Sequence, residues 1–538
     1  MTLQPMTSRL CWPLSLGSGL LLFAAFPSLG WWPLGWVALA PLMVAAARSR
    51  PRRALLLGLG AGVLFNSLSL PWLITVMNTF GGLALAVSLA LYLLLALYLA
   101  LYTAAFAFTV SLCCRRWGAN ALLLAPVAWV GSELLRGLLL TGFPWNLLAY
   151  TQAGVAAAIQ SAALAGAYGL SLLLAFSSAL VARGFISRPP GGSAHWRWPA
   201  AALLFVVLLL AGGQARIALH HRGTAGAEVA PRLEAALVQC NVDQELKMTS
   251  RDRRLIADEL YRMTREAAEG RRLDLVIWPE SSIPFLRFRR EPVFRGEIEG
   301  LARELGLAVL FGSVDRPFGL DEPFPPAGQP GAGYTNAAML VNRDGRLIWK
   351  YDKIHLVPFG EYVPAKGLLF FAGKLVAEVA DFTAGEAYAI TRLGPRQGGC
   401  LICYEIIFPG LVRGFVREGA DVLVTMTNDA WFGDSSAPRQ HWNAAVLRAV
   451  ENGRPVLRCA NTGISGVIDP LGRVVSETRL NERVIVPVSL DAAPLNTVYS
   501  RLGDLVAWGC LALWAILLAV LAVRRRARPT TKGEGQGA

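Results

Sequence analysis

Charge is scarce in this chain. Only 16% of its 538 residues are Asp, Glu, Lys or Arg, against 54% hydrophobic residues and a mean hydropathy of +0.44. That balance excludes a wholly soluble protein, and the length leaves room for two or three domains. Histidine is rarer still: the five His fall at no zinc-ligand spacing, so no metal site is expected. Eight scattered Cys form no disulfide framework, which leaves the redox compartment open. A dinucleotide fingerprint is also missing. Gly58-x-Gly60-x-Gly62 lies in an apolar helical run with no strand before it, a pattern of helix packing. The net charge of +14 does not point to nucleic acid, because much of the Arg sits beside apolar spans, at 48–53, 115–116 and 524–528. Orientation on a membrane explains it better.

Long hydrophobic runs are what the chain has instead. Stretches able to cross a bilayer fall at about 11–28, 31–47, 54–75, 84–112, 120–139, 160–182, 198–214 and 503–523, giving eight candidate helices. Arg48, Arg50, Arg52 and Arg53 follow the second, Arg115 and Arg116 the fourth, Arg183, Arg188 and Arg197 the sixth, and residues 524–528 the eighth. The turns near Ser28 and Asn78 and at 141–160 carry no Lys or Arg. The positive-inside rule then places both termini in the cytoplasm and the stretch of about 215–500 on the opposite face, which in a bacterium is periplasmic. The expected division is a membrane domain at 1–214 with seven helices, a catalytic domain at 215–500, an eighth helix at 501–523 and a basic cytoplasmic tail at 524–538. The first span is expected to be retained: no small-x-small cleavage site follows it, and Trp31-Trp32-Pro33 leads straight into the next.

Glu133 and Arg136 share one face of the fifth span at i,i+3 spacing. They read either as a structural pair locking helices together or as a contact for a lipid headgroup, beside the uncharged Thr141-Gly142-Phe143-Pro144-Trp145.

The outer region alternates short apolar runs with charged helical stretches. Strands are expected at 237–242, 273–278, 308–314, 337–341, 400–403, 422–426 and 456–459, and helices at 251–269 and 294–305. The result is an α/β domain with a largely buried sheet. Glu280, Lys353 and Cys403 each stand just beyond a strand-like run, where a rigid sheet can aim them into one crevice. A carboxylate can deprotonate a thiol whose pKa an ammonium lowers, and the ammonium can then stabilise a tetrahedral oxyanion. Taken singly, each has a duller reading: a carboxylate at a helix start, a solvated charge, a small core hydrophobe. Cys400 and Cys403 form a C-x-x-C, but i and i+3 on a strand point to opposite faces, so Cys400 reads as core.

The flanking words join these residues. Trp278-Pro279-Glu280-Ser281, then Lys353-Ile354-His355-Leu356-Val357-Pro358-Phe359-Gly360-Glu361-Tyr362-Val363-Pro364, Cys403-Tyr404-Glu405 and Asn428-Asp429-Ala430-Trp431-Phe432-Gly433 stand in one order. In them the chain resembles the nitrilase superfamily and, more narrowly, the bacterial apolipoprotein N-acyltransferases. The eight-span pattern, Glu133, Arg136 and Gly142-Phe143-Pro144-Trp145 extend the resemblance over nearly the whole chain.

The resemblance implies an αββα sandwich with Glu280 as general base, Lys353 as transition-state stabiliser and Cys403 as nucleophile. It gives Glu361, Tyr404, Glu405 and Trp431 supporting or substrate-binding places. Where some relatives have Trp, this chain reads Glu245-Leu246-Lys247-Met248. The implied reaction takes an acyl chain from a phospholipid through a Cys403 thioester to the α-amino group of a diacylglyceryl-modified cysteine at a lipoprotein N-terminus. It needs no ATP, coenzyme A or metal. Moving a chain of roughly 16 carbons into water would cost on the order of 10 kcal/mol at about 0.8 kcal/mol per CH₂, so the pocket has to open at the bilayer. Leu368-Leu369-Phe370-Phe371 has the character of a membrane-dipping lid, and the basic, aromatic run 283–290 that of a surface for anionic headgroups; both also read as ordinary core. Two rivals stay open: a membrane-anchored nitrilase-like amidase that hydrolyses its acyl-enzyme, and a transporter with an accessory outer domain. Against the latter, the spans hold few ionisable residues besides Glu133 and Arg136, and no paired broken helices are evident.

Overall fold

Two six-stranded sheets carry the polar half of the chain. In the computed structural model, which describes residues 8–186, 196–224, 232–244, 252–284, 286–317, 319–320, 333–362, 382–491 and 493–526, they stack face to face. One has the order β12 (Val484–Leu490), β1 (Leu233–Gln239), β2 (Leu275–Ile277), β3 (Ala308–Asp315), β4 (Thr335–Val341), β5 (Leu347–Asp352). The other runs β11 (Val474–Glu477), β10 (Gly466–Ile468), β9 (Val456–Ala460), β8 (Val422–Thr427), β7 (Arg396–Ile402), β6 (Ile390–Leu393). Each sheet has three parallel strands at its centre, β1–β3 and β7–β9, and antiparallel partners outside them.

Strand alternation sorts the side chains. Leu310, Ala338, Leu340 and Tyr351 enter the core shared with the second sheet, while Val309, Phe311, Ala337 and Met339 face a second core with residues of helices Arg253–Ala268 and Pro292–Leu305. Helices Pro409–Arg417 and Ala437–Asn452 pack with the second sheet through Val412, Phe415 and Trp442. This is the expected nitrilase-like α/β sandwich. All seven anticipated strands and both anticipated helices are present, with ends shifted by a few residues. Strands β5, β6, β10, β11 and β12 add to them as antiparallel partners, and β11 is too exposed to carry an apolar signal.

Every one of the eight hydrophobic stretches is helical. Among the described residues, five helices are long and apolar enough to cross a membrane: Leu85–Trp117, Ala119–Thr141, Ala162–Ile186, Arg197–Arg222 and Leu505–Val523. Pro51–Ser69 and Trp72–Phe80 make a sixth if taken as one span bent by 59°, and Arg9–Ala25 and Trp32–Ala47 are shorter. Eight crossings thus go beyond what helix length provides. The Gly58 and Gly62 stripe packs as expected: a Cβ on Gly58 would lie 2.5 Å from the Thr103 carbonyl oxygen, and one on Gly62 2.8 Å from Ala100 Cα.

The bundle has two distinct ends. At one, Arg48 donates to the Phe185 carbonyl and Arg183 to Asn120 Oδ1, which gathers the arginine-bearing turns. At the other, the arginine-free turns meet the sandwich. Gln440 donates to the carbonyls of Pro27 and Ser69 at 3.2 and 2.9 Å and accepts from Trp145 Nε1 at 2.6 Å.

Candidate active site

Glu280 lies on the turn after β2, and Lys353 and Cys403 directly follow β5 and β7. The sandwich therefore delivers the carboxylate and ammonium from one sheet and the thiol from the other. Gly312 on β3 makes way for the glutamate turn, since a Cβ there would lie 2.7 Å from the Ser281 nitrogen. Ser281 and Cys403 both have positive φ, 47° and 52°, without being glycine. Such a conformation costs roughly 1–2 kcal/mol and persists where the surroundings impose it.

The Lys353 Nζ is 3.0 Å from Glu361 Oε1 and 3.5 Å from Glu280 Oε1, with the side chain 1% exposed. Asn336 Nδ2 bridges the same two oxygens at 2.7 and 2.9 Å, and the Asn428 N–H donates to Glu280 Oε2 at 3.0 Å. Burial opposes the ammonium, yet Glu361 and Glu280 hold its pKa above the ordinary lysine value. Burial, followed by the Glu280 carboxylate, pushes the Cys403 thiol up, against the pull of Lys353. Burial and the carboxylate thus favour the protonated thiol, and the ammonium favours the thiolate. This arrangement suits attack coupled to proton removal rather than a standing thiolate.

Glu405 ties the two sheets together at this point. Its Oε1 accepts from Tyr351 Oη at 2.6 Å, the Ile354 N–H at 2.7 Å and the His355 N–H at 3.1 Å, while Oε2 accepts from the Ile402 N–H at 2.7 Å. One buried carboxylate thus fixes both the lysine loop and the turn that carries Cys403. Burial outweighs these bonds and pushes its pKa up to about 7.

Comparison with known proteins finds matches to both halves of the chain. The apolipoprotein N-acyltransferase N-terminal domain model matches residues 18–180, and the carbon-nitrogen hydrolase model matches 234–497. An apolipoprotein N-acyltransferase of Geobacter metallireducens is 40% identical over 514 residues, 95% of this chain and 94% of that protein. The chain belongs to the apolipoprotein N-acyltransferase family. Its Haemophilus influenzae relative is 31% identical over 520 residues, again 95% and 94% of the two chains. Among solved structures, an amidase from Nesterenkonia sp. is 22% identical, with a TM-score of 0.37 over 51% of this chain and 94% of that one.

The other expected residues of this family member take different places. Glu361 joins the charged cluster and also accepts from the Val357 N–H at 2.8 Å, which shapes the lysine loop. Tyr404 turns toward the membrane helices, where its Oη donates to the Gly142 carbonyl at 3.2 Å and its ring stacks on Trp145. Trp431 sits at the rim, 37% exposed and edge-on to Phe80 at 5.5 Å. Residues 245–248, 368–371 and Phe285 lie outside the described residues.

Glu133 and Arg136 do not pair with each other among the described residues. Glu133 accepts from the Leu148 N–H and Arg136 donates to the Asn146 carbonyl, both at 2.8 Å. Both hold the loop bearing Trp145, and Glu133 also bonds Ser171 on helix Ala162–Ile186. Asn336 and His441 were not anticipated as site residues. Asn336 lies in an apolar strand, and a lone His in a charged helix gives no sequence signal.

Proposed function

We propose that the protein transfers a fatty acyl chain from a phospholipid to the α-amino group of the diacylglyceryl-cysteine at a lipoprotein N-terminus. The observation that carries this reading is the position of the nucleophile. The residue after Cys403 is hydrogen-bonded and stacked onto the loop of the apolar helical domain, so the thiol lies beside the source of lipid. Family membership over nearly the whole chain agrees with it.

In the first half-reaction Glu280 takes the Cys403 proton as sulfur attacks the ester carbonyl. The C–O bond breaks, Glu280 returns the proton to the departing lysophospholipid alkoxide, and a thioester remains on Cys403. In the second half-reaction Glu280 deprotonates the attacking amine, the C–S bond breaks, and the proton restores the thiol as the amide leaves. Lys353 faces the developing oxyanion in both halves, together with a backbone N–H near Tyr404. Glu361 and Asn336 keep the ammonium and base oriented, and Glu405 holds the two loops in register.

The orientation belongs to the same proposal. The hydrophobic stretches make eight passes, the bundle end that gathers Arg48 and Arg183 is cytoplasmic, and the sandwich at 215–500 is periplasmic on the bacterial inner membrane. The domain division at 1–214, 215–500, 501–523 and 524–538 follows from it.

Intact-mass analysis after incubation with phospholipid alone tests the chemistry. The expected result is an acyl adduct that is absent in Cys403→Ser and discharged onto a lipopeptide amine. Release of the label only as free fatty acid would establish the hydrolytic amidase reading instead.

A further inference from the structure

Along the inner face of β3, Gly312 lies beneath the Glu280 turn, and Val314 follows it with the same orientation. Arg316 is the next residue of that alternation, one step past the last β3–β4 pair, Asp315 with Thr335. On β4, Asn336 points at the catalytic carboxylates, and Tyr334 precedes it by two residues. The Arg316 guanidinium lies over the Tyr334 ring, 5.4 Å from its centre, and the exposed Arg287 lies over the same ring at 4.9 Å.

Arg316 stands out in its electrostatics. It is 8% exposed, its Nε has no hydrogen-bond partner, and no carboxylate pairs with it among the described residues. The neighbouring cations on the other face are matched: Arg289 pairs with Asp315 at 3.2 Å, and Lys350 with Asp315 and Asp352 at 3.0 and 3.1 Å. A buried guanidinium without an anion is costly, and an aromatic ring offsets only part of that cost. Two arginines sharing one ring on the approach to the catalytic carboxylates form a site built for an anion. A guanidinium fork matches phosphate oxygens in particular.

We propose that Arg316, with Arg287 beside it on Tyr334, binds the phosphate of the glycerophospholipid acyl donor. The dimensions agree: two strand residues, about 7 Å, separate Tyr334 from Asn336. Six bonds, about 7 Å when extended, separate a terminal glycerol ester carbonyl from phosphorus. Holding the phosphate there sets the ester over Cys403 and keeps the departing lysophospholipid oriented for protonation by Glu280.

This inference rests on the phospholipid reading above, and its test separates the two. Acyl-enzyme formation on Cys403 is measured in single turnovers of the full-length protein in detergent micelles, with diacyl phosphatidylglycerol and with phosphate-free diacylglycerol. Arg316→Gln is expected to lower the ratio of the phospholipid to the diacylglycerol rate by about tenfold or more, mainly through KM, and Arg316→Lys to recover part of it. Glycerol 3-phosphate is expected to compete with phospholipid in the wild type and to lose that effect in Arg316→Gln. An unchanged donor ratio, or competition that survives the substitution, would overturn the phosphate site while leaving the acyl-enzyme intact. Absence of any acyl-enzyme in the wild type would instead sink the transfer reaction itself.

Discussion

The carbonyl oxygen of Cys403 lies 3.1 Å from Nε2 of His441. That contact pins the backbone of Cys403, whose φ is 52°. On its other side Nδ1 lies 3.0 Å from Arg458 and 3.2 Å from Asp429 Oδ1, and Arg458 also pairs with Asp429 Oδ2 at 2.7 Å. Burial and Arg458 lower the His441 pKa, so the imidazole is neutral, with its proton on Nε2 toward Cys403 and Nδ1 accepting from Arg458. Trp145 stacks on the same ring at 5.4 Å, linking the loop from the helical domain to the backbone of Cys403.

His441→Ala is therefore expected to slow thioester formation by about tenfold to a hundredfold, because it frees a positive-φ residue without touching substrate. His441→Gln, which keeps an N–H donor, should restore part of the rate. The readout is single-turnover acylation. Equal rates in Ala and Gln variants would show that ring packing matters and the hydrogen bond does not.

Glu405 makes activity sensitive to pH. With its pKa at about 7, lowering the pH from 8 to 6 protonates the carboxyl. A hydroxyl hydrogen then meets a set of four donors, and the lysine and cysteine loops loosen. Acylation should fall over that interval, and Glu405→Gln should be slow but flatter. The stability effect has the opposite sign. The native pKa lies above the ordinary glutamate value, so the unfolded chain loses its proton first as pH rises, and native stability is lost between pH 4.5 and about 7. The loss is at most about 3 kcal/mol. Thermal melts of wild type and Glu405→Gln across that range check it: the difference between them should shift in favour of the variant with rising pH.

The thiol of Cys403 should alkylate slowly at neutral pH. Burial and the Glu280 carboxylate hold it protonated, against the pull of Lys353 and a hydrogen bond with Thr427. Iodoacetamide labelling should keep rising with pH past about 9 without a plateau. Lys353→Met should slow it further, since the remaining field is that of the carboxylates. A plateau near neutrality in the wild type would mean a standing thiolate.

Much of this site was legible in the sequence because its residues follow strands. Glu280, Lys353 and Cys403 each sit where a short apolar run stops, and their flanking words fix the family. The strands at 308–314 and 422–426 were visible for the same reason: both are buried, so their composition is nearly continuous apolar. The antiparallel strands β5, β6, β11 and β12 were not, because partial exposure leaves them mixed in composition, whereas the fully buried antiparallel β4 was visible at 337–341. Asn336 and His441 escaped because their roles depend on what folding brings opposite them. Helical spacing puts Glu133 and Arg136 on one face, where they read as a pair or as a headgroup contact. That spacing is met, but each side chain is closer to the loop at 146–148 than to an ion-pair partner.

Gln440 is the last joint on which the site depends. One amide serves three segments: Oε1 takes the Trp145 indole N–H, and Nε2 donates to the carbonyls of Ser69 and Pro27. Gln440 is 3% exposed, so removing it leaves buried groups unpaired, at about 1–3 kcal/mol for each one left without a partner. Gln440→Ala should therefore lower the melting temperature and loosen the Trp145 loop, which rests on His441 and Tyr404. Acylation from bilayer phospholipid should drop more than acylation from a short soluble ester, because the first needs the helical domain seated against the sandwich. Gln440→Glu keeps the acceptor for Trp145 but sets a carboxylate against two carbonyls, so it should fail in the same direction. A variant with normal melting and unchanged preference between the two donors would show that the helical domain is held to the sandwich elsewhere, for instance where Glu451 accepts from the Ala167 N–H at 2.6 Å.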